Sequence, residues 1–191
     1  MSKTYYVVDL DRCWGCGSCR AACKMEHGIP VGGTSIDVAK VENFSDEGQL
    51  HIDYVPMLCM HCTDAACEKV CAAGALAHDG EGLVVVDEEI CSGCGSCVEA
   101  CPYGAIYLVE NAEQKRSVAK KCDLCRDRRR RGFLTSCEQH CIGRTFTSCS
   151  EEHLQAITAE KQKWSVGQVV YVSERLKSLG QKFATDSGPK D

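Results

Sequence analysis

Cys91, Cys94, Cys97 and Cys101 follow one another with two, two and three residues between them, and Pro102 comes directly after. Three thiolates on one tight loop can hold three irons of a cubane [4Fe-4S] cluster. The fourth, after the longer step, turns away to a different cluster. One such run therefore calls for another elsewhere in the chain.

It is found near the start. Cys13-Trp-Gly-Cys16-Gly-Ser-Cys19-Arg-Ala-Ala-Cys23 repeats the spacing and shares the pattern C-x-G-C-G-S-C-x-x-A-C with the later copy. Between them lies a second set, Cys59, Cys62, Cys67 and Cys71, with two, four and three residues between. A fourth set is looser: Cys122 and Cys125, then eleven residues, then Cys137 and Cys141. A structural zinc site is the plain reading of any isolated Cys-x-x-Cys pair, but four Cys within eleven residues fit a cubane better. The fourth set keeps both readings, cluster or zinc, because paired Cys at about this separation are what a zinc ribbon uses. His61 lies inside the second set. Cysteine already fills the ligand positions, so it is read as a hydrogen-bond partner of a cluster sulfur or of the backbone. Cys149 falls outside every pattern and is read as a buried apolar thiol.

Each set ends in a Cys after a three-residue step, so each gives one ligand to a partner set. Pairing the sets nearest in sequence joins the second with the third: Cys59, Cys62, Cys67 with Cys101, and Cys91, Cys94, Cys97 with Cys71. The first and fourth then exchange ligands: Cys13, Cys16, Cys19 with Cys141, and Cys122, Cys125, Cys137 with Cys23. The expected cofactors are four [4Fe-4S] clusters, or three with one zinc.

Composition supports this frame. Seventeen Cys in 191 residues is about 9%, near the level at which disulfides or metal replace part of an apolar core, and aromatics are only 6%. A framework of disulfides is disfavoured by compartment: Cys13 opens a motif too close to Met1 to leave room for a secretory signal. No apolar run approaches the roughly 18 residues that span a bilayer. The expectation is a soluble cytoplasmic chain without direct membrane insertion, with export on a signal-bearing partner as the alternative. Net charge is -5, so no basic surface dominates and nucleic-acid binding is disfavoured. The run Arg126 to Arg131 is read first as a solvated loop and second as a docking edge or a screen for the negative clusters.

The fold expected is α+β: two bacterial-type ferredoxin-like units, one inserted in the other, with a C-terminal helical and extended segment. The outer unit takes residues 1–58 and 111–149, the inner unit 59–110, the C-terminal extension 150–183, and 184–191 form a disordered tail. Strands are expected over 4–10, 83–87 and after Pro102, a short helix over 19–25, and a hairpin from 35–43 and 50–55. Beyond Cys149, helix is expected over 150–163 behind a Ser150 cap, strand over 164–172 and helix over 173–179.

Asp-Leu-Asp-Arg-Cys at the start, Pro-Met-Leu-Cys-Met-His-Cys at the second set and Cys-Pro-Tyr-Gly-Ala at the third resemble the four-cluster iron-sulfur subunits of molybdenum and tungsten oxidoreductases. The dimethyl sulfoxide reductase, polysulfide reductase and formate dehydrogenase subunits are of this kind, as are small subunits beside tungsten aldehyde oxidoreductase-like enzymes and class II benzoyl-CoA reductase. The resemblance covers about residues 4 to 147 and implies the same nested ligand pairing. Where that family commonly has prolines that shape the pockets, this chain has Ala65, Ala66, Ala72 and Ile142.

These features point to an electron relay rather than a catalyst, since no nucleophile and base pair, phosphate loop or nicotinamide or flavin fingerprint is present. The resemblance implies a large molybdenum or tungsten pterin catalytic subunit as partner, with a further redox subunit as donor or acceptor. The alternatives are an electron carrier for a hydrogenase or carbon monoxide dehydrogenase, and a zinc-stabilised interaction module. Iron and acid-labile sulfide analysis separates them: about sixteen irons is the expected result for four cubanes, about twelve with one zinc marks a zinc fourth set, and zinc alone excludes the relay.

Overall fold

The computed structural model describes residues 3–44, 48–111, 115–159 and 161–174. In chain order these form β1 (Thr4–Asp9), α1 (Ser18–His27), the hairpin β2 (Ile36–Phe44) and β3 (Leu50–Leu58), α2 (Ala66–Lys69), the hairpin β4 (Leu76–His78) and β5 (Val84–Val86), and α3 (Ser96–Ala100). Then come the hairpin β6 (Ile106–Asn111) and β7 (Arg116–Lys121), α4 (Arg126–Arg130), α5 (Ser136–Gln139), β8 (Phe146–Ser150), α6 (Glu151–Thr158), β9 (Gln162–Val166) and β10 (Val169–Ser173). The mix of small sheets and short helices suits a chain whose aromatic content is low.

The largest sheet has the order β8-β1-β10-β9. β1 is antiparallel to β8 and parallel to β10, so it is hydrogen-bonded on both edges. With period-two alternation, Tyr6 and Val8 face one side and Val7 the other. Tyr6 and Val8 join Leu10, Val55, Leu58, Met60, Leu124, Val169 and Tyr171 in the main core, where Cys19, Cys23 and Cys137 are also buried. Val7 packs with Val170 and Val172 on the opposite face, with Leu154 of α6 and the half-buried Cys149 against them. This central position is why three consecutive residues, Tyr6 to Val8, are at most 1% exposed.

The expected hairpin over 35–55 is present as β2 and β3, and the strands expected near 4–10, 83–87 and after Pro102 are β1, β5 and β6. Past Cys149 the structure differs from expectation. The helix is shorter, ending at Thr158, and the Ser150 hydroxyl pairs with His153 Nδ1 at 3.0 Å rather than capping a backbone amide. The single strand expected over 164–172 is two strands folded back on each other, with Val166 facing Val169. Gly167, at φ +56, makes the reversal. The helix expected over 173–179 and the tail 184–191 fall, beyond Glu174, outside the described residues.

That reversal is tied to the second cysteine set. Gln168 donates its backbone N–H to the Met60 carbonyl at 3.2 Å and its side-chain amide to the Glu81 carbonyl at 2.7 Å, and its own carbonyl accepts the Tyr6 N–H at 2.9 Å. Tyr171 adds a hydrogen bond from its hydroxyl to the Pro56 carbonyl at 2.7 Å. Residues 162–173 are thus part of the largest sheet. A Cβ on Gly167 would stand 2.0 Å from the His61 carbonyl oxygen and 2.6 Å from that of Met60, both backbone atoms. Gly167→Ala is therefore expected to destabilise the protein by about 3 kcal/mol or more. Gly82→Ala has a positive φ too, but meets only the flexible Gln168 side chain at 3.4 Å and should cost clearly less, as thermal melts of the two variants would read.

Candidate metal centres

The local chemistry of each set follows from a short helix placed after a loop. In α1, Cys19 and Cys23 are four residues apart and so lie on one helix face, a little over one turn or about 6 Å apart along the axis. The same step separates Cys67 from Cys71, Cys97 from Cys101 and Cys137 from Cys141, each pair at or beside α2, α3 or α5. A helix turn thus carries the last thiol away from the loop that holds the first three. The glycines at the loop entrances are required by shape: a Cβ on Gly93, at φ +71, would lie 2.2 Å from the Ser117 carbonyl oxygen.

All seventeen cysteines are free thiols. Burial pushes the Cys62 and Cys67 thiols up to about 11, and the charges of Cys59 and Cys101 push the same way. Cys97 is raised by burial and then by Cys91, Cys94 and Cys71. Cys13 is raised by burial and, among its neighbours, by Cys141 and Cys16, while Cys19 is pushed up to about 12 by burial, with Cys137, Cys13 and Cys141 adding to it. Cys23 and Cys125 are likewise pushed up to about 12, by burial first and with Cys137 beside both. The chain therefore brings Cys101 near Cys62 and Cys67; Cys71 near Cys97; Cys141 near Cys13 and Cys19; and Cys23 near Cys122, Cys125 and Cys137. The sets also meet one another, since Cys59 adds to the rise at Cys122.

Two thiols differ. Cys16 and Cys94 are exposed, and both are lowered from the usual range, first by the hydroxyls of Ser18 and Ser96. Backbone N–H groups converge on the other sulfurs: Ala75 on Cys71 at 3.2 Å, Thr145 on Cys141 at 3.3 Å, Ala105 on Cys101, Ala119 on Cys91, Leu124 on Cys122 and Ser136 on Cys125, all at 3.4 Å. Clustered sulfur donors ringed by amides suit a group that must keep several thiolates deprotonated inside a protein, so the residues present fit iron-sulfur clusters.

Three more side chains reach these sulfurs. Tyr6 Oη is 2.8 Å from Cys137 Sγ and 2.9 Å from Thr135 Oγ1, Thr135 Oγ1 is itself 3.5 Å from Cys137 Sγ, and His27 Nε2 is 3.2 Å from Cys125 Sγ with Asp123 close by. His27 had a sequence signal, since it continues the series Cys19, Cys23, His27 along one face of α1. Tyr6 had none, being 131 residues from Cys137. His61 is 1% exposed and neither ring nitrogen has a hydrogen-bond partner among the described residues. The Val84 backbone lies alongside, outside hydrogen-bond geometry. Burial pushes the His61 imidazole well below the usual range. Cys149 is half-buried rather than fully buried.

The arginine run is not a solvated loop. It forms α4, whose side chains turn back onto the protein: Arg126 to Asp79 at 3.4 Å, Arg128 to Glu26 at 2.7 Å, and Arg129 to Glu81 at 3.0 Å. Arg129 also donates to the Leu124 carbonyl at 2.8 Å and to Thr4 at 3.3 Å. The pair Arg129 and Glu81 has side chains 13% and 9% exposed, so removing Arg129 leaves the buried Glu81 carboxylate with only the longer contact to half-exposed Arg130, at 3.8 Å. Arg131 has no carboxylate partner among these pairs and is exposed over Phe133.

Residues 50–151 match the model of the 4Fe-4S dicluster domain, and residues 6–26 that of the 4Fe-4S binding domain. The first span contains the second, third and fourth cysteine sets and the second span the first set. Neither match points to zinc, and together with the thiols they show multiple [4Fe-4S] clusters. A tetrathionate reductase subunit of Archaeoglobus fulgidus is 42% identical over 64% of this chain and 55% of its own length. A selenate reductase subunit of Mesobacillus selenatarsenatis is 31% identical over 94% of this chain and 68% of its own. The arsenate respiratory reductase iron-sulfur subunit of a Shewanella species is 44% identical over 52% and 42%. The chain spans about half the length of the tetrathionate reductase subunits it matches.

Arg129→Ala is expected to destabilise the protein by about 3 kcal/mol, while Arg131→Ala should change stability by less than about 0.5 kcal/mol. Denaturant midpoints of the two variants check this, and equal small effects would return the run to the solvated reading.

Proposed function

This chain belongs to the 4Fe-4S dicluster-domain family, and from that premise we propose that it relays single electrons to or from a large molybdenum or tungsten pterin catalytic subunit. A further redox subunit stands at the other end. We assign four ligand sets: Cys13, Cys16, Cys19 and Cys141; Cys59, Cys62, Cys67 and Cys101; Cys91, Cys94, Cys97 and Cys71; and Cys122, Cys125, Cys137 and Cys23. Each cluster, when bound, supplies a one-electron couple. The protein's part is to hold thiolates at fixed spacing, keep water from most of them, and surround them with N–H and O–H donors.

One observation carries the reading: thiols of neighbouring sets influence one another in an unbroken series. Cys71 reaches Cys97 in the third set, Cys101 reaches Cys62 in the second, Cys59 reaches Cys122 in the fourth, and Cys137 reaches Cys19 in the first. The exposed thiols, Cys94 and Cys16, belong to the two outermost sets of that series. We take these as the ends where electrons enter and leave. The exchange of fourth ligands also carries the nested organisation, with 59–110 as the inner unit and 1–58 with 111–149 as the outer. Relatives named as tetrathionate, selenate and arsenate reductase subunits suggest that the catalytic partner reduces an oxyanion. No described helix is long and apolar enough to cross a membrane, and we place the complex in the cytoplasm.

Paired substitutions test the ligand exchange. If Cys101 serves the second set, Cys62→Ala with Cys101→Ala alters one cluster in the electron paramagnetic resonance spectrum, and Cys97→Ala with Cys101→Ala alters two. The reverse counts mean that the ligands are not exchanged. Purification of the native complex should bring a large subunit containing molybdenum or tungsten, and recovery of this chain by itself argues against a subunit role.

A further inference from the structure

We propose that the Tyr6 hydroxyl raises the reduction potential of the cluster held by Cys23, Cys122, Cys125 and Cys137, by a fixed hydrogen bond to Cys137 Sγ. The proposal rests on the ligand assignment above. His27 acts as a second donor, at Cys125, and Thr135 stands behind Tyr6. All three are positioning residues, acting through the sulfur ligands.

Proton accounting gives the bond its direction. A cysteine that ligates iron carries no hydrogen, so across the 2.8 Å between Tyr6 Oη and Cys137 Sγ only the tyrosine can donate. Its single hydrogen is then committed. Across the 2.9 Å to Thr135 Oγ1, Tyr6 can only accept, and the threonine hydrogen is shared between Tyr6 Oη and Cys137 Sγ, which lies 3.5 Å from Thr135 Oγ1. Thr135 Oγ1 in turn accepts the backbone N–H of Glu138 at 3.3 Å, as the cap of α5. The result is a short chain of donors, Thr135 to Tyr6 to Cys137, each polarising the next.

The surroundings make the chain rigid and dry. Tyr6 and Thr135 are 0% exposed and Cys137 is 6%, so water does not compete for the sulfur. Tyr6 sits at the centre of the largest sheet, its N–H held by the Gln168 carbonyl and its ring stacked on Phe146 with centroids 5.6 Å apart. The hydroxyl therefore cannot swing away when the charge on the sulfur changes. Reduction of a bound cluster would form and break no bond, and Tyr6 would keep its hydrogen. The added negative charge spreads partly onto the thiolates, and a donor already aimed at one of them favours the reduced state. On the other side of the site, His27 Nε2 is 3.2 Å from Cys125 Sγ, which also accepts the Ser136 N–H. Burial and the nearby Asp123 and Glu138 act against reduction, but they remain when the tyrosine hydroxyl is removed.

The test is Tyr6→Phe in the full chain, with Tyr5→Phe as control, since Tyr5 packs on the opposite face of the sheet. Both proteins are assayed for iron and sulfide and then titrated, with each cluster followed by electron paramagnetic resonance. Tyr6→Phe should keep its iron and shift one midpoint to more negative potential, lowering the ratio of reduced to oxidised cluster at fixed potential about tenfold, or about 59 mV for one electron. The remaining midpoints, and all those of Tyr5→Phe, should not move. His27→Ala should shift the same midpoint in the same direction. If Tyr6→Phe loses iron, Thr135→Val, which removes both the donor behind Tyr6 and the 3.5 Å hydroxyl contact to Cys137, decides by the same readout for the hydroxyl pair. Full iron content with no midpoint shifted, or with a shift to more positive potential, overturns the proposal. If Cys137→Ala leaves the iron content and every cluster signal unchanged, the ligand assignment has failed instead.

Discussion

Everything in this structure answers to the difficulty of keeping many thiolates inside a small protein. Burial, with the crowding of the sulfurs added to it, raises most of these thiols, several to about 11 or 12. Without iron, most would hold their protons at neutral pH. The metal provides the positive charge that lets the sulfurs remain deprotonated, and the protein provides amides, hydroxyls and one imidazole aimed at them. The apolar core is correspondingly modest. Cys19, Cys23 and Cys137 occupy core positions that aliphatic side chains would fill in a protein of ordinary composition.

Charge is managed outside the sets as well as within them. Arg126, Arg128 and Arg129 neutralise carboxylates that come from distant stretches, Glu26, Asp79 and Glu81. In doing so they fasten the segment between the two halves of the fourth set onto both α1 and the turn that joins β4 to β5. Lys161 does the same at the other end, meeting Asp9 at 3.0 Å and Asp11 at 2.7 Å just before the first set. The cysteine loops are thus clamped by ion pairs on their outer sides while their inner sides face sulfur.

The spacing of the cysteines was legible because ligand geometry acts over a few residues: two intervening residues keep thiols on one loop, and three carry the next around a helical turn. The hairpin of β2 and β3 was legible because its alternation is strong on both strands. Other features depend on partners far away in sequence. The arginine run reads as solvent-facing until Glu26, Asp79 and Glu81 are placed around it. Nothing within a few residues of Tyr6 points to Cys137, since the contact exists only because β1 lies in the middle of a sheet closed by the last described strands. The two-strand form of residues 162–173 was hidden because Trp164, Val166 and Val169 to Val172 all favour strand, and Gly167 was the single mark of the reversal.

The parallel pairing of β1 with β10 has a consequence for how the protein is made. Parallel neighbours cannot be joined by a tight turn, and here the partner of residues 6 to 9 is residues 169 to 172, at the far end of the described chain. During synthesis the first strand therefore leaves the ribosome long before its partner exists, and Tyr6 has no Gln168 carbonyl to bind. On the ligand sets proposed above, the first and fourth sets wait with it, since Cys13 and Cys141 lie 128 residues apart and Cys23 and Cys122 lie 99 apart. The second and third sets, within 59–101, are complete much earlier. Filling of the proposed sets would thus be staged by chain length: the pair within 59–101 can be completed on the nascent chain before Cys122 to Cys141 has been made.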